Sequence, residues 1–449
     1  MATSIQSLSP ELLIKILSCT KTSPTGSSDL LPCLTVCKLW YRLAVLVLYR
    51  NVVLVNTNIE LFAATFDFQK TAFVRSLTLN LTEPLVLRDE DLDTFGDRDR
   101  DPGKELERPL LRLTRMLGKL SNLQSFSLYV IEATSTYYGL DIRAFYITRL
   151  INALPPSCVN LEIDSNGHDR SAHFAPRFVA RFRGPPGEER AHICESIRLV
   201  LPRMHHVRIR LCRICPTLLD VFLTPNKDNP TPENTSCLRT LLINCETTTG
   251  VCTERRSWYS DRLYRSIMLR LWRQMTSALE KFVDTPGTCS PSTTVHILHN
   301  TYNPIETDCW HDTTLVSDIN SCTTRAFPSP YVEDKDGHEL PVRDTVSSYL
   351  KFQALAEGQV WMTLLSGARL PRTMAETEDE VIQDLWTNEE TDWVTSDLKM
   401  SSMLCDSEEA TRVMWLDAEV RKDPATYLNY VPVVKDTSRG WRSREIEGH

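Results

Sequence analysis

Two groups of residues in this chain carry chemistry beyond packing. The first is Cys212-Arg-Ile-Cys215, a pair of thiols at the spacing of a metal knuckle, with His205 and His206 shortly upstream. Zinc needs converging N or S donors, so this pair requires a second pair or suitably placed histidines. Adjacent residues on a strand point to opposite faces, so His205 and His206 cannot both turn toward the thiols. Reduced thiols packed as small apolar groups are therefore expected, with no metal. The second group is Asp308-Cys309-Trp310-His311-Asp312. A catalytic Cys–His pair is assembled across a fold rather than between near neighbours, so this run is read as structural. No GxxxxGK[ST] or GxGxxG phosphate loop, GxSxG elbow or HExxH helix occurs. The expectation is a protein that is not an enzyme and needs no cofactor.

Arginine is the remaining chemical resource. An arginine-rich middle includes Arg208 and Arg210, and a second group including Arg262 and Arg265 falls in a helical stretch with Trp258, Tyr259, Tyr264 and Trp272. A planar guanidinium suits two-point recognition of carboxylate or phosphate, so these four arginines are candidates for holding an acidic or phosphorylated segment of another protein. The competing expectation is that they are solvated or pair within the chain. Residues 371–423 hold 15 acidic against five basic residues, with Trp386, Trp393 and Trp415 among them. That segment reads as an acidic cap able to neutralise the arginines in cis.

Composition narrows the function classes. The chain has 449 residues, 50 Lys+Arg against 58 Asp+Glu and a formal net charge of −8. This balance argues against nucleic acid as a partner. The longest apolar run, Leu43 to Tyr49, is far short of the ~20 residues of a membrane span. Met1 to Pro10 lack the basic and apolar regions of a secretory signal. With 14 scattered cysteines, the expected location is cytoplasmic, nuclear or both.

The elements that would present a binding surface begin near the amino terminus. Ser7 or Ser9 can cap a helix, Pro10 suits its first turn, and Glu11 sits near the positive end of its dipole. Leu12, Leu13, Ile16 and Leu17 form one helical face, and further short helices are predicted over Asp29 to Cys37 and Leu39 to Tyr49. Between residues 8 and 49, 23 of 42 residues are apolar, or 55%, against 42% for the whole chain. So small a unit has too little interior to bury them, so part of this surface must meet other residues or another protein.

Leu8-Ser-Pro-Glu-Leu12-Leu13, then Ile16-Leu17, Val36-Cys37-Lys-Leu39-Trp40 and Leu43 resemble an F-box, and Leu48 to Leu54 resembles the segment that follows it in fungal members of that family. Ser9 stands where the family usually has proline, with Pro10 one place later. The resemblance implies docking to a Skp-type adaptor of a cullin–RING ubiquitin ligase. By motif position, Leu8, Pro10, Leu12, Leu13, Ile16, Leu17, Val36, Cys37, Trp40 and Leu43 divide between that interface and the module's own core. A buried tryptophan commonly dominates such interfaces, so Trp40 is the first choice of anchor.

Beyond the module, strand-like segments recur with alternating leucine. Their centres, Leu77, Phe126, Leu161, Val207 and Leu241, are spaced by 49, 35, 46 and 34 residues. Helical stretches are predicted at Leu110 to Lys119, Asp141 to Ala153 and Arg255 to Lys281. The spacing exceeds the 20–29 residues of regular leucine-rich repeats, so the pattern reads as a degenerate one, similar to that of many fungal F-box proteins. Arg88 to Arg108 reads as an exposed insertion loop and Thr285 to Arg343 as long loops.

The expected architecture is thus α/β (α+β): a three-helix F-box at 1–50, then an irregular leucine-rich-repeat-like strand–helix solenoid. The latter occupies 51–284, with a loop-rich continuation at 285–370 and an acidic, tryptophan-containing cap at 371–449. The expected function is substrate receptor of a Skp–cullin–F-box ligase, holding an unidentified client protein for ubiquitin-dependent degradation. Alternatives are a non-degradative F-box scaffold and an enzyme of unknown class.

Overall fold

A computed structural model describes residues 8–21, 30–82, 102–131, 142–169, 192–223, 236–245, 248, 261–286, 288–302, 312–321, 323–328, 331–333, 339–341, 357–358, 360–364, 366–376, 414–416, 433–436 and 440–443. Helix α1 (Pro10–Lys21) opens on proline, and the Ser9 hydroxyl caps it by accepting the Leu12 N–H at 3.4 Å. The second predicted helix is instead a single 3₁₀ turn, Pro32–Thr35, which ends before Cys37 adopts extended backbone with φ −163°. Helix α2 (Lys38–Arg50) then runs directly into strand β1 (Asn51–Val55).

Strand and helix alternate from there: α3 (Asn56–Thr65), β2 (Ser76–Thr82), α4 (Pro102–Leu117), β3 (Ser125–Ile131), α5 (Ala144–Asn152), β4 (Asn160–Asp164), α6 (Ile193–Val200), β5 (His206–Arg210), the single turn α7 (Asp220–Leu223), β6 (Thr240–Asn244), α8 (Asp261–Asp284) and β7 (Thr294–Tyr302). Strands β1 to β7 lie side by side in chain order, all parallel. Strands β8 (Asp312–Asp318) and β9 (Thr323–Pro328) extend the sheet antiparallel. The remaining strands are β10 (Tyr331–Glu333), β11 (Glu339–Pro341), β12 (Trp361–Thr363), β13 (Arg369–Pro371), β14 (Met414–Leu416), β15 (Val433–Asp436) and β16 (Gly440–Ser443). Of these, β14 joins the large sheet antiparallel to β9, and the others pair as hairpins.

Alternation along each strand assigns every side chain to a face. Leu77, Phe126, Leu161, Val207 and Leu241 are register partners from β2 to β6, so the strand centres read from the sequence form one column across the sheet. They and the next column, Leu79, Leu128, Ile163, Ile209 and Ile243, are buried against helical residues such as Leu113, Leu150, Ile197 and Phe282. At about 1.5–3 kcal/mol for each fully buried large aliphatic or phenyl side chain, this layer is the main source of stability.

The opposite face is polar. One column reads Asn51, Ser76, Ser125, Asn160, His206, Thr240 and Thr294 across seven strands, and the next contains Thr78, Ser127, Glu162 and Arg208. Helices cover the apolar face. The β12–β13 hairpin and the helical turn Arg372–Ala375 touch the polar one.

Three sequence expectations change. Thr285 to Arg343 contains β7, β8 and β9 rather than long loops, because threonine there acts as a β-branched strand former. Of Arg88 to Arg108, the described part begins α4 at Pro102, a residue suited to a first helical turn; residues 88–101 lie outside the described residues. Helices α3 and α6 were not anticipated. Within the predicted cap, Trp386 and Trp393 lie outside the described residues, and Trp415 lies on β14.

Candidate functional site

The amino-terminal module closes around a small core. Leu17, Leu30, Ala44 and Val47 are buried together, with Ile14, Leu34, Trp40, Leu43 and Leu48 packed against them. What this core cannot hold faces outward: Leu12 is 50% exposed, Ile16 39%, Leu31 56%, Val36 56%, Leu39 40% and Tyr41 45%. Only Leu61 and Leu199 join these six as exposed large apolar side chains among the described residues. Scattered exposed leucines are ordinary, but six within thirty positions of chain are a concentration of apolar surface of the kind found at docking sites.

The ten residues expected at the adaptor interface therefore divide. Leu12, Ile16 and Val36 are exposed, as is Pro10 at the start of α1. Leu8 and Cys37 are half-buried. Leu13 and Leu17 are buried, and Trp40 and Leu43 pack partly buried against the module core. Trp40, the first choice of anchor, packs partly buried against a core that includes Leu17 of α1. Its indole Nε1 is buried without an acceptor among the described residues. Hydrogen bonds from its own backbone N–H and from Ser9 hold the fully exposed Glu11 carboxyl below its ordinary pKa.

The second candidate surface, the arginines of β5, turns out to be interior. Arg208 and Arg210 are 2% and 0% exposed. Arg208 donates to Glu162 Oε1 at 2.9 Å, to Asp164 Oδ2 at 2.5 Å, and to both carboxylate oxygens of Glu357 at 2.5 and 2.9 Å. Arg210 Nε donates to Asp164 Oδ1 at 2.5 Å. Arg369, on β13, binds both oxygens of Glu162 and lies over the Tyr129 ring at 4.2 Å. Three guanidinium groups and three carboxylates thus balance in a buried cluster. Burial pushes the Asp164 pKa up, but Arg208 and Arg210 outweigh it and hold the group at about 2. Glu162 also ends below its ordinary value, with Arg369 overcoming burial.

This arrangement corrects the expectation that Arg208 and Arg210 bind a client. The paired strand supplies Glu162 and Asp164, Glu357 supplies the third carboxylate, and both guanidinium groups are buried away from solvent. Neutralisation in cis does occur at these two arginines, from Glu162, Asp164 and Glu357; most of residues 371–423 lie outside the described residues. Arg262 and Arg265 lie on α8, and their side chains fall outside what the structure describes.

Around the cluster, the segment 357–376 is stitched to the polar face. Arg369 N–H donates to Thr78 Oγ1 at 2.9 Å, Asn160 Nδ2 to Met374 Sδ at 3.0 Å, and Asn244 Nδ2 to Glu357 Oε1 at 2.8 Å. His206 bridges Thr240 Oγ1 at 2.9 Å and Thr373 Oγ1 at 3.1 Å. Burial, with Arg239 and His205 adding to it, lowers the His206 pKa to about 4.

Of the Cys212–Cys215 pair, both thiols are buried. Cys215 meets His192 and Cys194, their donor atoms all within 4.8 Å of one another. The sequence signal overlooked was His192-Ile-Cys194, a His-x-Cys at the start of a helix. The Asp308–Asp312 run begins outside the described residues. Among the described residues no helix is long and apolar enough to cross a membrane.

No curated protein and no solved structure matches the chain. Residues 5–55 match the family model for the F-box-like domain. The exposed apolar edge of α1, the 3₁₀ turn and α2 therefore lies on an F-box-like domain, the element that binds Skp-type adaptors in cullin–RING ligases.

Proposed function

We propose that this protein is a substrate receptor: its F-box-like domain docks the Skp-type adaptor, and its strand–helix body presents a client protein for ubiquitin transfer by other subunits. The observation that carries this reading is the concentration of Leu12, Ile16, Leu31, Val36, Leu39 and Tyr41 on one small module. Their burial by an adaptor would remove from water the surface that the module core leaves out. Catalysis in such a receptor is proximity, with no cofactor and no reacting residue of its own.

The body supports the reading by its order. Seven parallel strands laid down in sequence, joined by helices, are the logic of a degenerate leucine-rich-repeat array, and stacked units of that kind give extended surfaces. Because segment 357–376 fills part of the polar sheet face, the client would engage other parts of the body, Arg262 and Arg265 on α8 remaining candidates. A cytoplasmic or nuclear site of action follows from the ligase partnership, with neither nucleic acid nor membrane as a partner.

The test is co-purification from cells. Adaptor, cullin and polyubiquitylated clients should accompany the full chain and be lost with Leu12→Ala/Ile16→Ala/Val36→Ala. Recovery of the adaptor alone, with no cullin and no ubiquitylated protein, would favour the scaffold reading, which the covered polar face also suits. Absence of the adaptor from a folded chain would sink both.

A further inference from the structure

His192, Cys194 and Cys215 converge although 23 residues separate the first from the last. Two elements bring them together. His192 precedes α6 at its N-cap and Cys194 lies in its first turn, while Cys215 caps the 3₁₀ turn Pro216–Leu219 that packs on α6. His192 Nε2 lies 3.1 Å from Cys215 Sγ. Cys194 and Cys215 are buried, at 0% and 2% exposure, and His192 is half-buried.

We propose that His192 Nε2, Cys194 Sγ and Cys215 Sγ bind one Zn²⁺ ion, which clamps the start of α6 to the turn that follows β5. The donor chemistry selects the ion: two sulfurs and an imidazole suit zinc, whereas hard cations prefer oxygen. Zn–S bonds of about 2.3 Å and Zn–N bonds of about 2.0–2.1 Å, arranged tetrahedrally, hold donors a little under 4 Å apart. Three donor atoms already within 4.8 Å of one another reach that arrangement by small side-chain rotations.

Charge agrees with burial. Each cysteine loses its proton to solvent on binding, and Zn²⁺ with two thiolates and a neutral imidazole is uncharged, so the site does not place a net charge in the core. Thr217 Oγ1 lies 2.8 Å from Cys215 Sγ, where its hydroxyl can donate to the metal-bound sulfur and orient it. Three protein ligands leave the fourth position to water.

The test uses the untagged full chain, purified without chelator under reducing conditions, with metal content read by mass spectrometry. Close to one zinc per chain is expected, falling to near zero in Cys215→Ser. If that variant does not fold, His192→Ala at the half-exposed position serves instead, and its zinc should pass to a chromophoric chelator at least tenfold more readily. Exchange with Co²⁺ should give a thiolate-to-metal charge-transfer band that both variants reduce. A folded wild-type chain that neither carries nor takes up stoichiometric zinc overturns the proposal. So does zinc retained unchanged in folded variants, or a Cys194–Cys215 disulfide found in place of two reduced thiols.

Discussion

Arg208 and Glu357 stand 149 residues apart and meet as a two-point ion pair, Nε to Oε2 at 2.5 Å and Nη2 to Oε1 at 2.9 Å. The pair joins the fifth strand of the sheet to the segment that crosses its polar face. Arg208 also holds Glu162 and Asp164, so one guanidinium ties together three carboxylates from two separate parts of the chain.

Removing one partner from such a cluster should cost more than the pair is worth. Arg208→Met leaves Glu162, Asp164 and Glu357 buried with one cation fewer, and a loss of about 3–5 kcal/mol is expected. Glu357→Gln keeps an acceptor for Asn244 and should cost less, about 1–3 kcal/mol. Urea unfolding of both single variants and the double variant should give a coupling of about 1–3 kcal/mol. Additive losses would show that the two side chains do not interact.

Arg369 adds a geometric requirement. Its fork grips both oxygens of Glu162 while its plane lies over Tyr129. Lysine keeps the charge but neither the fork nor the flat stacking surface. Arg369→Lys should therefore destabilise by about 1–3 kcal/mol and make residues 357–376 cut faster by protease, whereas Tyr129→Phe, which keeps the ring, should leave cleavage unchanged. Equal cleavage in wild type and Arg369→Lys would count against this segment being held by that contact.

The F-box-like edge separates binding from stability. Leu12→Ala/Ile16→Ala, both on the exposed side of α1, should weaken adaptor association at least tenfold, about 1.4 kcal/mol or more, with little change in melting temperature. Leu17→Ala, at 1% exposure, should lower stability by about 2–5 kcal/mol. Calorimetric titration against purified adaptor distinguishes them. Full affinity in the folded double variant would remove α1 from the interface.

What the sequence made legible was local. The module followed from anchors within a few dozen residues, and the strand centres from alternation that Leu77, Phe126, Leu161, Val207 and Leu241 share as one column. What it concealed depends on distant pairing. Whether Arg208 and Arg210 bind a client or pair within the chain was open in the sequence because their carboxylates lie at 162, 164 and 357, and only the fold brings these together. Cys215 read as a packed thiol because its neighbours in space, His192 and Cys194, lie upstream across a whole strand. Strand β7 falls in a stretch whose richness in Thr, Ser, Pro and Asp reads as loop, although its Val295 and Ile297 alternate with polar residues as a half-buried strand's do.

Asp169 gives a pH dependence with a definite sign. Burial raises its pKa to about 7, against hydrogen bonds from Cys212 N–H and the Ser165 hydroxyl that pull it down. Between the ordinary carboxylate value of 3.8 and about 7 the folded chain keeps this proton and the unfolded chain releases it. The folded state binds more protons there, so this residue's contribution to stability falls as pH rises through that window. Asp164 acts oppositely and lower, its contribution being lost as pH drops from about 4 to about 2. Asp169→Asn retains a carbonyl oxygen for both hydrogen bonds and cannot ionise. Relative to wild type it should therefore gain stability steadily from pH 4 to pH 7 and level off above. Unfolding midpoints of the two proteins measured across that range, and found parallel, would show that Asp169 ionises alike in both states.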